Sequence, residues 1–203
     1  FLRRLFSVPL NKAVYFLYAV SANDNILWRI IAMNAAYVYL QLFRLFDGCT
    51  PTRFDCGKIC RKACCKGDDC GMYLFPGEKK AYDLLNPDWA KIEASEFTYI
   101  HNGKKKNVPI LFCSGNCDRF QRPLACRIFP LTPYTEDGKL KIIIDPRAKS
   151  VCPLTDGTQL SDFDEKFVDN VYKTFKVLMS NKEFCSFMEA YSEYLREYFK
   201  FFK

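Results

Sequence analysis

The sequence predicts an α+β fold, with helical N- and C-terminal segments around a cysteine-rich, metal-held centre built on short β-hairpins. Eleven cysteines in 203 residues are clustered, six of them between Cys49 and Cys70. Aromatic and β-branched segments face each other across "HNG" and "EDG", both hairpin turn signals. The tail carries apolar residues at helical spacing. The expected organisation is a helical arm over 1–48, a cysteine-rich core over 49–155, and helices over 156–203 that pack on that core as part of one compact domain.

The arm opens with "FLRRLFSVPLNKAVYFLYAVSA", which has the outline of a secretory leader, but Pro9, Asn11 and Lys12 interrupt its apolar run. "ILWRIIAMNAAYVYLQLFRLF" over 26–46 is long enough to span a bilayer. Arg29, Asn34, Gln41 and Arg44 break it, so a mostly buried helix is expected, with a membrane-surface helix as the minor reading. Gly48, Pro51 and Gly57 then mark a change of character. "LFPGEKKAYDLL" reads as a loop into a short helix with Pro76 near its first turn.

Two hairpins follow. "SEFTYI" and "VPILFCS" form the first, with Lys104, Lys105 and Lys106 expected at its solvated tip and His101 as an exposed loop residue. "RIFPLTPY" and "KLKIIIDP" form the second, with Leu140, Ile142 and Ile144 on one face. In the tail, Phe163, Phe167, Val171, Phe175 and Leu178 keep the helix period behind a capping box of Ser161 and Asp164. A second helix after Asn181 aligns Phe184, Phe187, Met188, Tyr191, Leu195, Tyr198 and Phe202. The bulk of these aromatics belongs to a core, although "YFKFFK" exceeds what one helix face buries and suits a protein partner or a membrane surface.

The net charge of +7 omits the negative charge of ionised thiols, and four metal-bound thiolates would reduce it to about +3. The basic balance is therefore no strong signal for nucleic acid. A chain this long does not need crosslinks to hold a core. An odd cysteine count, clustering and an adjacent pair fit a disulfide framework poorly and a metal site well, which places the protein in a reducing, cytoplasmic setting. Thiolates select zinc, iron–sulfur clusters or copper(I). "DCGKICRKACC" holds C-x3-C-x3-C-C and "CSGNCDRFQRPLAC" holds C-x3-C-x8-C, with one further thiol in "KSVCPL". On a continuous helix Cys56, Cys60 and Cys64 share a face, so Cys64 and Cys65 need an irregular loop or serve different roles. Cys49, Cys70 and Cys185 fall outside these groups, Cys185 as a packing residue.

"CGKICRKACC", "CDRFQRPLACRIFPL" and "CPL" together resemble the YkgJ-like family of CxxCxxCC proteins, described as chelators of zinc or iron. The resemblance covers about residues 54–154, and the form with "GMYLFPGE" looks like a clostridial branch. Here three residues, not two, separate the first cysteines. The resemblance implies ligands at Cys56, Cys60, Cys64, Cys65, Cys117 and Cys126, with Cys113 and Cys152 as additions, binding zinc or an iron–sulfur cluster of the [4Fe–4S] type. Arg122 and Arg127 would donate to the thiolates. The family is distantly similar to a flagellin lysine N-methylase, so a cluster-dependent methyl transfer from S-adenosylmethionine is the alternative function. No G-x-G-x-x-G signature, paired carboxylates or Ser-His-Asp arrangement accompanies it.

Overall fold

The computed structural model describes residues 35–66, 71–113, 115 and 117–201. The leader-like stretch, the first part of the predicted arm, Cys70 and Phe202 lie outside the described residues. The arm contributes α1 (Ala35–Arg44), which buries Ala36, Tyr39, Leu42 and Phe43. Its other side carries Tyr37, which is 52% exposed, so the predicted mostly buried helix is amphipathic where described.

A three-stranded antiparallel sheet follows, β1 (Gly71–Tyr73), β2 (Ala90–His101) and β3 (Lys104–Cys113), in the order β1-β3-β2. Asn102 and Gly103 both take positive φ, the backbone twist a two-residue hairpin needs. The turn is thus shorter than expected: Lys104, Lys105 and Lys106 start β3 instead of forming a tip, and Lys106 pairs with Glu183 at 2.6 Å. His101 ends β2 half-buried with Nδ1 3.1 Å from Ser186 Oγ, not on an exposed loop. The β2–β3 register shifts between Ala94 and Thr98, opposite Pro109, which has no N–H for the ladder. Ser95 bridges this irregularity by donating to the Val108 carbonyl at 2.6 Å.

β4 (Leu131–Glu136) and β5 (Lys139–Ile144) form the second hairpin about Asp137 and Gly138, also at positive φ. Ile142 is buried, and Leu140 and Ile144 pack on the core beside it. α5 (Glu165–Leu178) begins one turn later than the expected capping box: Asp164 itself is the N-cap, accepting from the Phe167 N–H. A separate short turn, Leu160–Asp162, uses Gln159 and Asp162 as its box. Asn181 caps α6 (Lys182–Phe201) by accepting from the Glu183 and Phe184 N–H groups.

α6 packs against both β2 and β4, so one long amphipathic helix joins the two sheets. Phe75 sits at the meeting point, with the rings of Phe175, Phe184, Phe187 and Tyr191 between 5.1 and 6.4 Å from its centroid. Phe167, Val171, Phe175, Phe184, Phe187, Met188 and Leu195 are buried to within 1%, so the two helical stripes are core as expected. At the end of α6, Phe199 is 37% exposed and touches Tyr134 edge-on. Among the described residues no helix is long and apolar enough to cross a membrane.

Candidate functional site

The first cysteine segment begins on α2 (Cys56–Ile59), a single turn capped by Asp55, whose carboxylate accepts from the Gly57 N–H at 3.1 Å. Cys60 closes that turn by donating its N–H to the Cys56 carbonyl, so Cys56 and Cys60 share a face. The helix ends there. Arg61 and Lys62 both enter the left-handed region at φ 52 and 58, and a 3-10 turn follows over Ala63–Cys65. The anticipated three-cysteine helix face is therefore broken after Cys60, and the irregular loop that adjacent thiols require is what the chain forms.

Across that loop the Cys64 and Cys65 sulfurs stand 3.8 Å apart. The two sulfurs share a weak hydrogen bond in which either can donate; this interaction holds Cys65 down to about 6 and pushes Cys64 up, and Arg122, Lys62 and Arg119 lower Cys65 further.

The second segment meets the first at two contacts, and a third contact shapes it from within. Arg119 clamps Asp55 with its two terminal nitrogens, Nη1 and Nη2, at 2.6 and 2.9 Å, and this contact holds the Asp55 carboxyl below its ordinary range. Gly115 lies at φ +81 so close to Cys65 that a Cβ would meet its carbonyl oxygen at 2.9 Å. Arg122 donates Nε–H to the Cys117 sulfur at 3.1 Å; burial opposes the guanidinium's charge, while this hydrogen bond and the neighbouring sulfurs favour it and leave it raised overall.

Cys126 rides on α4 (Leu124–Ile128), whose N-terminus is fixed by a buried carboxylate: Glu78 accepts from the Leu124 N–H at 2.7 Å and from the Phe75 N–H at 2.9 Å. Glu78 also precedes α3 (Lys79–Leu85), so the same side chain anchors that helix to the cysteine segment. Burial pushes the Cys126 thiol well up, and the neighbouring Cys65, Cys117 and Cys113 add to this. Arg127 does not touch a thiol. It braces the loop by donating to the Arg122, Phe120 and Phe43 carbonyls, which corrects the role expected for it.

Cys64, Cys65, Cys113, Cys117 and Cys126 line one cavity of about 240 Å³, whose remaining wall includes Met72, Trp89, Leu111, Phe129 and Arg122. Cys113 reaches it from the end of β3, as the hairpin reading expected. Cys56, Cys60 and Cys152 do not line it. Cys152 is buried, starting the 3-10 turn Pro153–Thr155. Burial raises both the Cys56 and the Cys152 thiol. Among the described residues no three Cys, His, Asp or Glu side chains are already gathered tightly enough to hold an ion. The donor chemistry suits a soft metal, but ligation requires the thiols to close in.

Cys49 accepts a long contact from Asn170 Nδ2 at 3.6 Å, and Cys185 donates to the Met179 carbonyl at 3.1 Å, consistent with packing roles. The ten described cysteines are free thiols. Sequence reasoning missed Glu78 and the Asp55–Arg119 pair. Asp55 carried a legible signal, an N-cap residue directly before the first cysteine turn, whereas nothing local marks Glu78 in "FPGEKK". The cysteine-lined cavity and the α+β frame around it define a class, an α+β chain with a thiol-walled cavity. No family model matches the chain, and no curated protein or solved structure is significantly similar to it.

Proposed function

We propose that this chain is a cysteine-cluster protein that takes up zinc or an iron–sulfur cluster. The observation that carries the reading is the convergence of five thiols from three separate segments on one cavity, with an arginine donating to one sulfur. Soft-metal binding uses several thiols gathered around one space, which is the arrangement these five cysteines approach. The cations that lower the Cys65 thiol and the guanidinium beside Cys117 reduce the proton cost of ligation. In this reading Cys64, Cys65, Cys113, Cys117 and Cys126 provide the cavity ligands, and the metal-held centre and the YkgJ-like resemblance belong to the same proposal.

The test is elemental analysis with a visible absorption spectrum on protein purified without oxygen. Iron with acid-labile sulfide identifies a cluster, and colourless protein with zinc identifies a closed structural site. Cys126→Ser lowers metal content, while Cys185→Ser leaves it unchanged. Protein that holds no transition metal under these conditions, or Cys126→Ser with full metal content, refutes the reading.

A further inference from the structure

Among the described residues the two most exposed large apolar side chains are Phe54, at 75%, and Phe120, at 70%. They are remote in sequence, yet both flank one ion pair: Arg119, next to Phe120, holds Asp55, next to Phe54, through Nη1 and Nη2. Ile59, 60% exposed, lies on the helical turn that Asp55 caps, so a third large apolar side chain belongs to the same surface.

The backbone holds these side chains out. The Phe54 carbonyl accepts from the Thr50 and Thr52 hydroxyls at 3.0 and 2.6 Å. Phe120 donates its N–H to Asp118 at 2.9 Å, and its carbonyl accepts from Arg127 Nη2 at 2.6 Å. A fraying segment would leave such bonds unmade, whereas here apolar side chains are presented to solvent on a fixed frame. The surroundings are basic. Arg53, Lys58, Arg61, Lys62 and Lys66 are all exposed, and the single acid over 53–66, Asp55, has its charge offset by Arg119. Asp118 is engaged with the Phe120 N–H, while Asp68 and Asp69 lie outside the described residues.

We propose that Phe54, Ile59 and Phe120, set among these cations, form a docking surface for an anionic membrane. The apolar side chains enter the boundary between headgroups and acyl chains, and the cations face the lipid phosphates. Charge complementarity requires an anionic partner, and the shape of the patch selects a bilayer among anionic partners. A nucleic acid strand follows a basic groove and stacks its bases on flat rings, a platform that Ile59 does not provide, whereas protruding apolar side chains of any shape enter a lipid interface. The proposal stands on these exposed residues and is independent of whether the thiols bind metal.

Flotation of the whole chain with vesicles of phosphatidylcholine and phosphatidylglycerol in equal parts, and with vesicles of phosphatidylcholine alone, tests this. The chain floats with the first and not with the second, and added salt weakens the attachment. Phe54→Ser with Phe120→Ser lowers the partition coefficient roughly tenfold. Arg53→Gln with Lys58→Gln lowers it roughly 20–30-fold. The replaced side chains are exposed, so the urea midpoint of each double variant matches that of the unsubstituted chain. Phe199→Ser, at the exposed end of α6, leaves partition unchanged. No flotation, or equal flotation with both kinds of vesicle, refutes the proposal. Double variants that float as well as the unsubstituted chain place the attachment elsewhere and overturn it. A chain that ignores vesicles but binds a single-stranded oligonucleotide, with that binding lost in the same variants, assigns the surface to nucleic acid instead.

Discussion

Glu78 is the group whose replacement has the most predictable consequence. It is 0% exposed and its two oxygens accept from two different backbone N–H groups, Phe75 at 2.9 Å and Leu124 at 2.7 Å. In Glu78→Gln one acceptor becomes an NH2 group pointed at an N–H, so one buried donor loses its partner, at a cost of roughly 1–3 kcal/mol. Burial raises the carboxyl to about 7 from an ordinary 4.5, even though the two N–H groups and Arg127 pull it down. A raised folded-state pKa means the folded chain holds the proton more tightly. Its contribution is therefore fully present below about 4.5 and is lost as pH rises to about 7, with an amplitude of about 3 kcal/mol. Glutamine has no such dependence. Urea melts of both chains at pH 5, 6 and 7.5 isolate the effect, since every other titrating group is common to them. The variant is the less stable at pH 5, and the gap narrows toward pH 7.5. A gap that stays constant across this range would mean that Glu78 does not change its protonation there, and a gap of zero at pH 5 would mean that its two hydrogen bonds contribute nothing.

Arg122→Ala removes the donor to Cys117 and lowers metal affinity roughly 10–100-fold, read by competition with a chromophoric chelator, while the melting temperature of the metal-free chain changes little. Gly115→Ala places a side chain at φ +81 and 2.9 Å from the Cys65 carbonyl, which costs about 1–2 kcal/mol of backbone strain and loosens the Cys113–Cys117 loop; a lower urea midpoint together with reduced metal content is the expected pair of results. Phe75→Ala empties the space between four aromatic rings and costs about 3–5 kcal/mol in urea unfolding.

What the sequence made legible follows from the range of the interactions involved. Helices α5 and α6 are set by local periodicity over many turns, and the pattern names most of their buried residues, missing the polar Thr174 and Ser192 and including Tyr198, which is only half-buried. Both hairpins were legible for the same reason, because Asn102–Gly103 and Asp137–Gly138 specify their turns within two residues. Their details escaped where a distant partner decides: Lys106 leaves the tip to meet Glu183, and His101 reaches Ser186, both on a helix remote in sequence.

The cysteine site divides along the same line. Spacing identified the thiols and their two segments, but it treated Cys56, Cys60, Cys64 and Cys65 as one motif. No helix-breaking residue marks the boundary in "CRKACC", since Arg61 and Lys62 are ordinary helix formers that nonetheless sit at positive φ. Holding two such residues there costs free energy, which has to be recovered from contacts made beyond the break. Contacts around the break include the Lys62 N–H to the Gly57 carbonyl, the Cys65 N–H to the Lys62 carbonyl and the Cys64–Cys65 approach. The left-handed pair is therefore where the helical face of Cys56 and Cys60 ends and the Cys64–Cys65 turn begins, a boundary that spacing alone does not reveal.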